Sequence, residues 1–149
     1  MSTDFNIVHF QGDTFILQVR HLDSNRLPIH LTGLGYTAEL QVRRSPLSSK
    51  MICQVSDNYP EGCYGIGTSG DFSRGNGTTG TTGGISMDYD GVSGAIYVEI
   101  DRTTSSNMPK GRHFYDLEVS TSNLGGSTGT HDVSTILNGT FEITKDITS

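Results

Sequence analysis

The 149-residue chain has no tryptophan, two cysteines, four prolines and no basic run longer than the pair Arg43-Arg44. Each shortage excludes something. Cys53 and Cys63 are too few for a secreted disulfide scaffold, and without a C-x-x-C or paired histidines they do not form a zinc site. They read as two free thiols, Cys53 in a strand and Cys63 in a loop, with a bridge open to them only in an oxidising exterior. Scattered cations in a chain of formal charge -6 cannot track a phosphate backbone, so no nucleic acid is expected as a partner. No stretch approaches the roughly 18 apolar residues of a membrane span. The opening "MSTDFNIVHFQGD" has neither a basic nor an apolar leader region, so no membrane partner is expected and the chain reads as soluble and made in a cytoplasm. The leucine and alanine content of a helical bundle is also missing.

What is present is glycine, 19 residues of it, with abundant serine and threonine and 33% hydrophobic residues. That mixture favours short strands and turns in one domain spanning residues 1–149. Apolar residues alternate with a period of two, as half-buried strands require. In "YTAELQVRR", Tyr36, Ala38, Leu40 and Val42 point one way. Similar segments are "NIVHF", "TFILQVRHL" (Phe15, Leu17, Val19), "KMICQVS" (Met51, Cys53, Val55), "GISMDYD" (Ile85, Met87, Tyr89) and "GAIYVEID" (Ile96, Val98, Ile100). Two longer ones follow: "RHFYDLEVST", with His113, Tyr115, Leu117 and Val119 on one side, and "DVSTILNGTFEIT", where Leu137, Phe141 and Ile143 share a face and Gly139 marks a bulge. These make about eight strands, separated by turn signals, as in an antiparallel sandwich or barrel. "RTTSSNMPKG" reads as a single helical turn with Thr103 as its N-cap.

Residues 57–83 stand apart, dominated by Gly, Ser and Thr. They read as a surface excursion that is flexible in the free protein and orders on assembly. Inside lies "GNGTTGTTGG", a literal G-x-G-x-x-G at Gly75, Gly77 and Gly80. A dinucleotide site needs a strand before these glycines and a helix after them. Here a loop precedes and the strand pattern "ISMDYD" follows, so the glycines read as loop residues free to adopt positive φ. No cofactor is expected.

The chemistry-bearing residues form no catalytic constellation. His9, His21, His30, His113 and His131 never fall at metal-pair spacing, and no G-x-S-x-G occurs. "DYDG" offers Asp88 and Asp90 as weak cation ligands, but the glycines miss the places a calcium loop needs and a hairpin turn explains them better. Asp88, Glu99, Asp101, Asp116 and Glu118 occupy polar-phase positions of late strands. If those strands are neighbours, one wet face is acidic, which serves either solubility or the docking of a basic partner.

The segments "FQGDTFILQVRHLDSNRLPIHLTGLGYTAELQVR" and "PKGRHFYDLEV", with the later "ILNGTFEIT", resemble a family of small structural proteins of tailed bacteriophages and prophages. The matching positions are Gln11 to Phe15, Asp23-Ser24, Pro28-Ile29, Leu31 to Gly33, Tyr36 to Ala38, Gln41 and Arg43 in the first half. In the second half they are Gly111-Arg112, Tyr115 to Val119, Leu137 and Gly139 to Phe141. The chain departs from the pattern in "LTGLGYTA", which carries two extra residues, and in the glycine-rich segment. The resemblance implies an immunoglobulin-like β-sandwich in the virion, associated with tail, baseplate or fibre attachment.

The expected protein is therefore a non-enzymatic virion adaptor of tail or baseplate, a symmetric homo-oligomer touching other virion structural proteins. The alternatives are a capsid-decoration or neck protein and a carbohydrate- or cell-surface-binding module. Expected interface residues within the excursion are Asp57, Tyr59, Tyr64, Phe72, Arg74 and Asn76. On the acidic face they are Glu99, Asp101, Asp116 and Glu118. Terminal arms 1–5 and 145–149 are expected to gain order only by docking on a neighbour.

Overall fold

A computed structural model describes residues 3–20, 36–57, 62–66, 70–73, 76–80, 82–87, 95–122 and 131–145. Period-two alternation becomes strand in each segment that carries it. The chain opens with β1 (Thr3–Asp4), β2 (Ile7–Phe10), β3 (Phe15–Arg20), β4 (Tyr36–Arg43) and β5 (Cys53–Ser56). It continues through β6 (Gly62–Gly65), β7 (Thr78–Thr79), β8 (Gly84–Met87) and β9 (Ala95–Ile100). A five-residue helix α1 (Arg102–Ser106) leads to β10 (Gly111–Ser122) and β11 (His131–Thr144).

These strands form two sheets. The larger has the order β1-β11-β10-β4-β5-β6-β7, with β2 also lying along β11, and the smaller is β3-β9-β8. The expected all-antiparallel arrangement needs correction at one edge, because β1 and β2 run parallel to β11. The reason is directional. The N-terminal strand must reach the end of the molecule where β3 begins, and β11 runs that way.

Both sheets contribute to one core, with Leu40, Val42, Leu117, Phe141 and Ile143 from the larger and Phe15, Ile85, Ile96, Val98 and Ile100 from the smaller. Phe15 meets Phe141 edge-to-face at 5.1 Å between ring centroids, which joins the sheets through their largest side chains. The inward phases read from the sequence hold in β3, β4, β9, β10 and β11. In β5 the alternation fails, since Gln54 and Ser56 are buried along with Cys53 and Val55. The strand is flanked on both sides by β4 and β6.

Gly139 does not mark the bulge. The register of β10 on β11 shifts between Leu117 and Glu118, which pair with Leu137 and Thr135 and leave Ile136 as the extra residue. Gly139 is glycine because a Cβ there would collide with the Phe5 carbonyl oxygen. Its absence lets the N-terminal edge close in, so that Phe5 N–H donates to Asn138 O at 2.8 Å and Tyr115 Oη–H donates to Phe5 O at 2.6 Å. The N-terminal arm is thus part of the sheet from Thr3 onward, contrary to the expectation that it waits for a partner. Residues 146–149 lie outside the described residues.

The described part of the segment 57–83 is not a free excursion. It supplies β6 and β7 to the larger sheet, and its Cys63 and Phe72 are buried. Phe72 is 5% exposed and exchanges backbone hydrogen bonds with Met51 at 2.8 and 3.0 Å. Beside it, Arg44 and Asp71 form an ion pair at 2.8 Å. Nor do Gly77 and Gly80 have positive φ. They are small because they pack. A Cβ on Gly77 would lie 2.7 Å from the Phe72 ring, and one on Gly80 would strike the Asp101 carboxylate.

Candidate functional site

The larger sheet turns a polar face outward, and its register sets out that face row by row. Arg43 of β4 stands opposite Phe114 of β10, which stands opposite Thr140 of β11. The next row is Gln41, Asp116 and Asn138. In the third, Glu39 faces Glu118. Arg43 donates to Gln41 Oε1 and Gln41 donates to Glu39 Oε2, a chain that orients the guanidinium along the sheet.

A groove of about 590 Å³ lies across the first two rows and is bounded at the sheet edge by Asp4 and Asn6. Asn6 Oδ1 accepts the Thr140 N–H at 3.1 Å, which fixes the edge against β11. Two buried atoms near the groove have no hydrogen-bond partner, Arg43 Nε and Asp116 Oδ1. Burial raises the Asp116 carboxyl above its usual range. Arg43 opposes that shift and Glu39 adds to it.

The other expected interface residues are dispersed. Glu99 lies in the outward phase of β9, on the smaller sheet, so the expected single acidic face does not exist. Asp101 is 1% exposed and cannot be an interface residue. It is the N-cap of α1, in place of Thr103, and its carboxylate accepts the Thr104 hydroxyl at 2.6 Å. Phe72 is likewise withdrawn into the core, because a large aromatic beside Met51 gains more by burial than by exposure. Asp57 accepts the Ala38 N–H at 2.8 Å, Tyr64 is half-buried, and Asn76 is exposed. Tyr59, Arg74, Asp88 and Asp90 lie outside the described residues.

No family model, curated protein or solved structure matches the chain.

A second cluster lies inside. Cys53 and Cys63 are free, buried thiols on the neighbouring strands β5 and β6, so Cys63 belongs to a strand and not a loop. The contact with Cys63, together with burial, pushes the Cys53 thiol up. The same contact pulls Cys63 down, against its own burial, with help from neighbouring Thr104 and the Asp101 N–H. Gly80 and Gly83 close over this cluster, with Gly80 N–H donating to Cys63 O at 2.7 Å. Among the described residues no three His, Cys, Asp or Glu side chains converge as metal ligands, and no helix is long and apolar enough to cross a membrane.

Sequence reasoning found Asp116 and Glu118 but missed Arg43, Phe114, Asn138 and Thr140 as their neighbours. Each sits in the outward phase of its strand, so the phase was legible. The pairing of β4 with β10 was not.

Proposed function

We propose that the chain is a virion structural protein of a tailed bacteriophage, an immunoglobulin-like sandwich acting in the tail or baseplate as an adaptor through protein–protein contacts. The observation that carries this reading is the open edge of the smaller sheet. Among the described residues the six-residue β3 pairs with β9 alone, which leaves one row of backbone groups available to an added strand. Ile16 on β3 is 67% exposed, and Val8 and Phe10 are exposed on β2 just before the turn into β3. Apolar residues beside an unpaired edge suit a partner strand better than water.

The strand order supports the immunoglobulin-like part. Variable-type domains set the last two strands beside the third and its two followers in one sheet, and the second strand beside two others in the opposing sheet. The orders β11-β10-β4-β5-β6 and β3-β9-β8 have that form. The virion assignment is supported by the sequence resemblance, several of whose described residues are framework here. Phe15, Ala38, Tyr115, Leu117 and Phe141 are core, and Gly12 takes the turn before β3 with φ of 93°.

Labelling intact particles with an antibody, or reconstructing them, tests the reading. Density at tail or baseplate is expected, in multiple symmetric copies. Density on the capsid or neck supports the decoration alternative, and absence from purified particles overturns the virion assignment.

A further inference from the structure

We propose that the groove across β4, β10 and β11 is a binding site for a neutral saccharide. Two residues that line the groove, each with a buried atom that has no hydrogen-bond partner, carry the argument. Arg43 Nε is a donor without an acceptor, and Asp116 Oδ1 is an acceptor without a donor. Leaving such groups unpaired is unfavourable, so each gains from a partner outside the chain. Hydroxyl groups suit both kinds of residue, since each can accept from a guanidinium and donate to a carboxylate.

The rest of the groove agrees with a polyhydroxylated ligand. Asn138 and Thr140 each offer donor and acceptor capacity on the strand next to Asp116. Phe114 lines the same groove, in the row of Arg43 and Thr140, and supplies an apolar surface for the C–H face of a sugar ring. Charge removes the anionic classes. The groove holds the carboxylates of Asp4 and Asp116 against the one guanidinium of Arg43, in a chain of formal charge -6, so phosphates and acidic sugars are repelled. Its volume of about 590 Å³ falls within the range of small-molecule sites, about 300–1,000 Å³. Tyr64, Phe72 and Tyr97 do not line this groove.

The test uses the isolated full chain, so its outcome is separate from that of the virion reading, which is decided on particles. Isotope-labelled protein is titrated with glucose, galactose, N-acetylglucosamine and cellobiose, and with glucuronate as the anionic comparator, while backbone amide shifts are followed. At least one neutral sugar is expected to give saturable shifts centred on Arg43, Phe114, Asp116 and Asn138, with glucuronate weaker. Asp116→Asn and Arg43→Gln should each lower affinity about tenfold or more, as loss of a hydrogen bond to a charged group does. Tyr97→Ala on the other sheet should leave it unchanged. Thermal melts verify that the variants fold, and Asn138→Ala serves as a second probe of the same rows should Arg43→Gln unfold. The proposal is overturned if none of the four neutral sugars gives saturable shifts, if the shifts map away from these rows, if glucuronate binds best, or if Asp116→Asn binds as well as the parent.

Discussion

Gly80 and Gly83 show how far one methyl group matters in this protein. A Cβ on Gly83 would come within 2.6 Å of the Glu99 carbonyl oxygen and 2.7 Å of Cys63 Cβ, and one on Gly80 within 2.6 Å of the Thr104 hydroxyl. Neither neighbour can yield easily, since backbone is fixed by the sheet and Thr104 is already bonded to buried Asp101. Alanine at either position should therefore lower stability by about 1–3 kcal/mol in urea melts, as overpacking does. Gly84 is the comparison, because the nearest atom to its missing Cβ is 4.0 Å away, and Gly84→Ala should be neutral to within about 0.5 kcal/mol. Equal losses at all three would remove close packing as the reason for these glycines. A second contrast lies in β10, where fully buried Leu117 sits beside half-buried Glu118. Leu117→Ala should lower stability by about 2–5 kcal/mol and Glu118→Gln by little, and thermal melts of similar size for both would reverse the assigned strand phase.

At the scale of elements, the N-terminal edge depends on three residues far apart in sequence. Tyr115 reaches past β11 to the Phe5 carbonyl, Gly139 gives the clearance, and Asn6 holds Thr140. Tyr115→Phe should lower stability by about 1–2 kcal/mol, because it removes a hydrogen bond and strands a carbonyl at a crowded position. The same change should speed amide exchange at Phe5, whose N–H is bonded to Asn138 O, more than at Leu117 in the sheet centre. Uniform exchange rates in the two proteins would mean that the edge is held by the backbone alone. This edge also marks where sequence reading runs out. Strands of six residues or more announced themselves by period, and so did the inward set Tyr115, Leu117 and Val119. Two-residue β1 and β7 and the four-residue β6 have too few side chains to show a period, and in β6 two of the four are glycine. The groove was legible by halves for a related reason. Alternation tells which side chains face out, whereas the meeting of Arg43 with Asp116 depends on which strands pair, and that is set by long-range packing.

For the molecule as a whole, the seam between the sheets is the place where acidity should be felt. His9 of β2 stacks edge-to-face on Phe15 of the smaller sheet and Phe141 of the larger, with centroids at 5.3 and 6.3 Å. Its Nε2 lies 2.9 Å from Asp13 O and 3.0 Å from Ser105 Oγ in α1, so one imidazole touches both sheets and the helix. Burial lowers its pKa below the ordinary histidine value, with the Asp13 carbonyl and the Asp13 charge opposing in part. A depressed folded-state pKa means that the unfolded chain takes up the proton first. Stability from neutral His9 is therefore present above about pH 6.5 and is lost as pH falls through the folded-state value. Asp116 has the opposite sign. Its carboxyl is raised by burial, so the protonated form is favoured in the folded state, and that contribution is full below the ordinary carboxyl range near pH 4 and is lost as pH rises through the raised value. The two windows can be separated by substitution. Melting temperatures measured from pH 7.5 to 4 should fall below about pH 6.5 in the parent protein, and His9→Gln should flatten that fall while lowering the value at neutral pH. Asp116→Asn should leave the histidine-dependent fall in place and raise stability at pH 7 relative to pH 4. A parent protein whose melting temperature is level from pH 7.5 to 5 would show that His9 takes up its proton as readily in the folded chain as in the unfolded one, which removes the seam as the acid-sensitive joint between the sheets.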